Sequence, residues 1–214
     1  MAHIVIFGGT GYAGGNIARE ALGRGHRVTS YSRTLPTEPV EGIEYRTGSV
    51  ADGEVVKDAA QDADELVVAV HGADAGGRPL VESVPHLVDA AVANDARLSF
   101  VGGAGSSLVA PDGPRLVDTP GFREEWKAEA LAHAEVLEQL RRAREDLRWF
   151  YLSPAGLFGA WAPGETLGTY RTGGDVLVTQ EDGSSEISGT DYAQAYVDEI
   201  ELVRHPDQRF TVGH

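Results

Sequence analysis

A doubly wound α/β fold, a parallel sheet with helices on both faces, is predicted by three features of this 214-residue sequence. Short apolar runs alternate with stretches of helical periodicity, the β-α-β-α order that builds such sheets through right-handed crossovers. The run Glu65 to Val70 (ELVVAV) does not alternate with polar residues, as expected of a strand covered on both faces. The first 33 residues read strand, glycine turn, helix, strand, the context in which a glycine spacing becomes a dinucleotide signal.

Taken in order, Ile4 to Phe7 form the first strand and run into Gly8, Gly9, Thr10, Gly11, Tyr12, Ala13, Gly14 and Gly15. The helix that follows carries Ile17, Ala18, Ala21 and Leu22 on one face; Gly25 breaks it, and Val28 to Tyr31 form the second strand. Gly9, Gly11 and Gly14 satisfy G-x-G-x-x-G, while Gly8, Gly11 and Gly14 equally satisfy G-x-x-G-x-x-G. One early glycine permits the tight turn, another lets a pyrophosphate approach the backbone, and Gly14 lets helix and strand pack closely. The N–H groups opening the helix then face the phosphates. The competing reading is a glycine-rich turn with no ligand.

Ile43 to Arg46 is a short strand and Gly53 to Ala60 a short helix. Pro79 suits a helix's first turn, and Leu80, Val84, Leu87, Val88, Ala91 and Val92 give that helix its inner face. Arg97 to Val101 is a strand, Glu124 to Arg144 a long helix (apolar at Trp126, Ala130, Leu131, Ala134, Leu137 and Leu140), and Leu147 to Leu152 another strand. From Thr169 to Ile187 the chain reads as short β pieces around turns at Gly173–Gly174 and Asp182–Gly183. Thr190 or Asp191 then caps a helix to about Val203, and Arg209 to Val212 is a last strand. Gly102 to Gly121 has no periodicity, which predicts a lid or binding loop, the alternative being a disordered one. Residues 1–214 thus form a single Rossmann-type domain, with a small C-terminal β/α extension and substrate-side elements at about 102–121 and 154–190.

Composition narrows the function. The absence of cysteine excludes disulfides, thiolate metal sites and a cysteine nucleophile. Eighteen Lys and Arg against 33 Asp and Glu give a net charge of −15, which repels nucleic acid and anionic membranes. No signal peptide opens the chain and no apolar run reaches membrane length, so a cytoplasmic protein is expected. The seven histidines are scattered without metal-ligand spacing. Gly103-Ala104-Gly105-Ser106-Ser107 does not meet the G-x-S-x-G spacing of a hydrolase elbow.

Arg33 follows the second strand about twenty residues beyond the glycines, and no acidic residue lies between Gly25 and Leu35. An acidic residue there would bond the ribose 2′-hydroxyl of NAD, whereas an arginine accommodates the 2′-phosphate of NADP. Ser30 and Ser32, the latter better placed, can add hydroxyl donors. An ordinary surface arginine is the competing reading.

Together GGTGYAGG (8–15), YSR (31–33), VGGAGS (101–106), LAHAEVLEQLR (131–141), YLSPAGLFG (151–159), GDVLVT (174–179) and SGTDYAQAYVDEIE (188–201) resemble the atypical short-chain dehydrogenases/reductases. Within them, the chain is similar to the NAD(P)H-binding group of NmrA-like proteins, biliverdin-reductase-B-like enzymes and NADH-flavin reductases. The resemblance implies that Thr10, Gly11, Tyr12 and Ala13 line the pyrophosphate. It further implies that Val70, His71 and Gly72 pass beside the adenosine ribose, and that Ser153, Pro154 and Ala155 meet the nicotinamide. The aspartate that the family often places near the adenine is replaced by Gly48-Ser49-Val50, where Ser49 is a weak substitute.

The Tyr-x-x-x-Lys of the superfamily's main branch is absent: the only lysines are Lys57 and Lys127, preceded four positions earlier by Gly53 and Arg123. His133 falls roughly where that lysine would be, and Ser106 and Ser107 near the superfamily's active-site serine. His133 and Ser106 are therefore the catalytic candidates, His133 as proton donor or positioner. A helix-surface histidine is the alternative, and His71 carries the same ambiguity. Asp118, Trp126, Tyr151 and Trp161 are candidates to shape the pocket, or are simply core. The expected protein transfers hydride from NADP(H) to a small conjugated electron acceptor such as a flavin or quinone. The rivals are an NmrA-like NADP(H) sensor without turnover and a pathway-specific carbonyl reductase or isomerase. Monomer and homodimer both remain open.

Overall fold

The computed structural model describes residues 1–73 and 77–214. Its elements are β1 (His3–Phe7), α1 (Tyr12–Gly23), β2 (Arg27–Ser32), β3 (Ile43–Thr47), α2 (Gly53–Ala60), β4 (Glu65–Val68), α3 (Val84–Ala93), β5 (Arg97–Val101), α4 (Glu124–Arg141), β6 (Trp149–Ser153), β7 (Arg171–Gly173), α5 (Gly189–Leu202) and β8 (Gln208–Gly213). They build one eight-stranded sheet in the order β3-β2-β1-β4-β5-β6-β8-β7. All pairings are parallel except β7 with β8. This is the doubly wound α/β architecture that the alternating pattern predicts. The winding reverses between β1 and β4, so the glycine turn opens at the crevice where such sheets bind ligands.

Successive residues of β1 bury opposite faces, which is why its sequence is apolar without a break. Val5 and Phe7 join the layer made with α2, α3 and α4, through Val56, Leu87, Leu137 and Leu140. Ile4 and Ile6 join the layer made with α1 and α5, through Ile17, Ala18, Ala21, Tyr192 and Tyr196. Among the described residues no helix is long and apolar enough to cross a membrane.

Several boundaries differ from the sequence reading. β4 stops at Val68 because the chain there bends across the glycine turn: a Cβ on Gly8 would lie 2.2 Å from the Ala69 carbonyl oxygen. Pro79 opens a 3-10 turn, Leu80–Ser83, and α3 begins only at Val84, since Pro85 has no N–H to continue the ladder. α4 ends at Arg141, not Arg144; its buried face finishes at Leu140, and Leu131 stands out in solvent. The cap of α5 is Ser188, whose Oγ accepts from Asp191 N–H (3.0 Å), rather than Thr190 or Asp191. Of the β pieces expected in 169–187, β7 alone is a strand.

The segment 102–121 is held in place. It contains two 3-10 turns, Ala104–Ser106 and Leu116–Asp118, and Leu108 donates its N–H to Asp175 O (2.8 Å). The buried Arg209 of β8 donates to Ser107 Oγ (3.0 Å) and Ser106 O (3.1 Å) and pairs with Asp175 (2.9 Å). These bonds explain how an aperiodic stretch keeps one conformation.

At the opposite end of the sheet lies a buried charged network. Arg97 pairs with Glu199 at 2.7 Å, and Glu65 lies beside Arg97 in register across β4 and β5. Burial pushes the Glu65 carboxyl up to about 8, against the pull of Arg97. The folded chain therefore keeps a proton that the unfolded chain sheds as pH rises from 4.5, the group's ordinary value, to about 8. Stability falls across that window, by up to about 1.4 kcal/mol per pH unit from this group. Glu65→Gln should flatten the slope, gaining on the parent toward pH 8 in denaturant titrations. Parallel pH profiles for the two proteins would refute the assignment.

Candidate cofactor and active site

The structure resolves the two glycine spacings. Gly8 has φ +89°, a conformation that disfavours any side chain, and a Cβ on Gly14 would sit 2.3 Å from Gly8 O. Gly8 therefore makes the turn and Gly14 the close helix contact. Gly9 is tight for another reason: its Cβ would meet the buried Ser30 hydroxyl at 2.5 Å, so Ser30 supports the turn from below instead of facing a ligand. Gly11, by contrast, is exposed, and a Cβ there would find only Gly8 O, at 3.3 Å. It begins a helix with no side-chain cap and no acidic residue in its first turn. An open glycine beside an uncapped, positively polarised helix start fits a pyrophosphate. Thr10 is exposed beside it and Ala13 half-buried behind it.

Tyr12 divides its roles. Its backbone lies in the helix's first turn, while its hydroxyl accepts from Gly189 N–H (3.0 Å) and donates to Pro163 O (3.3 Å). Its ring meets Phe158 edge-on, so the side chain braces the 154–168 segment instead of lining the phosphates. Beyond β2, Arg33 is exposed and makes no hydrogen bond or ion pair with any described residue. The Ser32 hydroxyl donates to Thr34 O (2.7 Å), so as a donor to a phosphate it is already used, contrary to the sequence reading. Ser49 Oγ accepts from Ala51 N–H (3.2 Å) in a local turn. Val50 is a core residue whose carbonyl accepts from His86; its side chain does not face the site.

Past β4 the centre is a residue that sequence reading missed, Glu129 of α4. Its carboxylate accepts from Gly72 N–H (2.8 Å) and Ala73 N–H (2.9 Å), lies 3.3 Å from His71 Nδ1, and pairs with His133 Nε2 at 3.2 Å. Burial raises this carboxyl, but the His133 and Ala73 hydrogen bonds, with those of lesser weight, hold it at about 2. The i, i+4 spacing of Glu129 and His133 is the signal that could have disclosed the pair. Val70, His71 and Gly72 are thereby tied to α4, with His71 reaching solvent and Gly72 against the His133 ring.

The catalytic candidates are not where a proton donor to substrate should be. His133 is buried, 7% exposed, packed against Gly72 and Gly103, and its Nδ1 has no partner among the described residues. The alternative of a helix-surface histidine is thereby corrected. Ser106 Oγ is likewise buried and without a partner among the described residues. Tyr151 is buried too: its hydroxyl donates to His133 O (3.0 Å) and accepts from Gly103 N–H (3.2 Å), and burial raises its pKa further. Ser153, Pro154 and Ala155 leave β6 as buried residues, Ser153 Oγ again without a partner among the described residues. Asp118 pairs with Arg115 (2.7 Å) at the surface and not with any of these groups.

Near the start of α4, Trp126 packs against Trp161 from the segment after β6, with ring centres 5.1 Å apart and planes at 31°. Phe122 meets Trp126 edge-on at 6.4 Å.

With the turn, the switch point and the strand ends described, comparison with known proteins decides the family. A family model described as NAD(P)H-binding matches residues 8–201, from the first glycine of the turn to the end of α5. The chain belongs to the NAD(P)H-binding family. It is 35% identical over 216 residues to YwnB of Bacillus subtilis (strain 168), covering 98% of this chain and 97% of that protein. Among solved structures, SP1627 of Streptococcus pneumoniae TIGR4, a candidate NADH-flavin reductase, is 32% identical with a TM-score of 0.87, each chain covered completely. A Burkholderia pseudomallei protein named as a candidate exported protein is 38% identical with a TM-score of 0.86, again with complete coverage of both. The family is thus one of NAD(P)H-binding, reductase-like proteins of α/β fold.

Proposed function

We propose that this protein is an NADPH-dependent oxidoreductase of the cytoplasm that passes hydride to a small conjugated acceptor, a flavin or a quinone. The observation that carries the reading is the burial of the groups that would protonate a substrate at the ends of β5 and β6, His133, Ser106 and Tyr151, while the exposed His71 is held beside Glu129. Reducing an isolated ketone creates an alkoxide that needs such a donor. A conjugated acceptor spreads the incoming charge, so positioning alone can carry much of the rate. The nicotinamide, when bound, supplies the hydride; the chain supplies placement. Gly11 and the N–H groups of Tyr12 and Ala13 hold the pyrophosphate, with Gly8, Thr10 and Gly14 shaping the turn. Arg33 reaches the 2′-phosphate, with Ser49 donating its O–H beside it, Ser32 doing so once its O–H turns from Thr34 O, and Val50 adjoining through its backbone. Val70, His71 and Gly72, pinned by Glu129, pass beside the adenosine ribose, and Ser153, Pro154 and Ala155 meet the nicotinamide. His133 and Ser106 act from beneath, His133 by positioning Glu129.

The test is NADPH and NADH oxidation with riboflavin, menadione and an aliphatic ketone, in the parent and in Arg33→Ala. A hydrogen bond to a charged group contributes about 1.5–3 kcal/mol, or roughly ten- to a hundredfold in affinity. Arg33→Ala should therefore weaken NADPH by that factor and spare NADH, and the ketone should be the poorest acceptor. Equal loss for both cofactors removes the NADPH assignment, and brisk ketone turnover removes the acceptor assignment. The same buried donors favour one second reading, a cofactor sensor without turnover, which binding of NADPH without oxidation by any acceptor would establish. A carbonyl reductase or isomerase loses ground, because each needs the donor that is buried here.

A further inference from the structure

Trp161 is 60% exposed although one part of its ring already packs on Trp126. Large aromatic side chains left in water in this way are uncommon, and this one has a specific setting. It occupies the turn closed by the Gly159–Ala162 bridge, whose backbone holds the ring edge close: a Cβ on Gly159 would lie 2.7 Å from Trp161 Nε1. Two residues on, Pro163 O accepts from the Tyr12 hydroxyl, which ties the turn to the glycine loop. Its partner Trp126 is one helical turn before Ala130 and Glu129, which contact the loops leaving β5 and β4. The guanidinium of Arg123 caps Trp126 at 4.7 Å from the ring centre and pairs with Glu125. The two indoles therefore meet between the segment that follows β6, tied to the glycine loop, and the start of α4, with Trp161 the more exposed.

We infer that the Trp126–Trp161 pair is the stacking platform for the acceptor, and that the acceptor is a flat, fused, electron-poor ring system. An indole is electron-rich on its face, and one held from behind by a second indole loses little freedom when a ligand stacks on it. A long aliphatic or globular substrate would gain little there, whereas a flat fused ring can stack on the exposed part of the indole. This rests on the oxidoreductase reading for the identity of the ligand as an acceptor, but the platform itself is defined by binding.

The experiment separates the two. Riboflavin is titrated into the protein without NADPH, following quenching of tryptophan fluorescence and the flavin's own emission, in the parent, Trp161→Ala and Trp161→Phe. Stacking on an aromatic side chain is typically worth about 1–3 kcal/mol by alanine replacement, about five- to 150-fold. Trp161→Ala should weaken riboflavin by that factor and leave NADPH affinity within about threefold, and Trp161→Phe should recover most of the loss. In turnover the effect should fall on the KM for riboflavin and not on kcat. Binding that depends on Trp161 supports the platform even if no acceptor is turned over, a result that would sink the oxidoreductase reading alone. Unchanged riboflavin affinity in Trp161→Ala overturns the platform whatever the turnover. A change in oligomeric state in place of ligand affinity also overturns it, and makes the pair an interface between copies.

Discussion

Gly11→Val should abolish measurable binding of NADPH and NADH alike, by at least about a hundredfold (~2.7 kcal/mol), while leaving the chain folded. The two halves of that expectation come from different atoms. Gly11 has φ −79° and ψ 177°, an extended conformation that valine adopts readily, and its Cβ would meet nothing nearer than Gly8 O at 3.3 Å. The fold therefore accepts the side chain. The phosphates do not, because the same side chain fills the open approach to the N–H groups opening α1. The flanking glycines offer no such separation, since a Cβ on Gly8 or Gly14 collides with backbone and would unfold the turn itself. Calorimetric titration with both cofactors, alongside circular dichroism, measures the outcome; a folded variant with parental affinity would remove the glycine turn from the site.

Glu199→Ala should be the most damaging substitution for stability. Its carboxylate pairs with Arg97 at 2.7 Å and accepts from His205 N–H (3.0 and 3.1 Å) and Arg204 N–H (3.2 Å), with both ion-pair side chains almost wholly buried. Removal strands a buried guanidinium and two backbone donors. Losing one partner of a buried pair typically costs about 3–5 kcal/mol. For a chain of this size that lowers the melting temperature by roughly 6–20 °C. A shift of only a degree or two in a thermal melt would mean that Arg97 finds another partner. Cofactor affinity of the folded variant should be unaffected, because the pair lies at the opposite end of the sheet from the glycine turn.

The parts of the molecule that were legible in the sequence are those set by neighbours in the chain. Strand, turn and helix over residues 3–23 follow from local pattern, and so do the alternating layers on either side of β1. The choice between Gly8 and Gly9 was not legible, since it depends on a backbone angle and on Ala69 from another strand. His133 was placed on the right helix, but its burial comes from Gly72 and Gly103, which offer no side chain to reveal the contact. Glu129 is signalled in the sequence only by its i, i+4 spacing to His133; the two backbone N–H groups that fix its place lie more than fifty residues away. The stretch 102–121 looked loose for the same reason: what fixes it is Arg209, invisible to any local pattern.

The span of that last contact bears on how the molecule assembles. Arg209 reaches back more than a hundred residues to Ser106 and Ser107, from a strand inserted between β6 and β7. Strands β1 to β6 pair with one another without β8, although α5, just before β8, covers one face of β1. Closing a loop of that length is entropically costly before any contact rewards it. The 102–121 side of the crevice therefore depends on contacts far along the chain, through Arg209 and the backbone around Asp175, that cost more loop entropy to close than the strand–turn–helix contacts of residues 3–23.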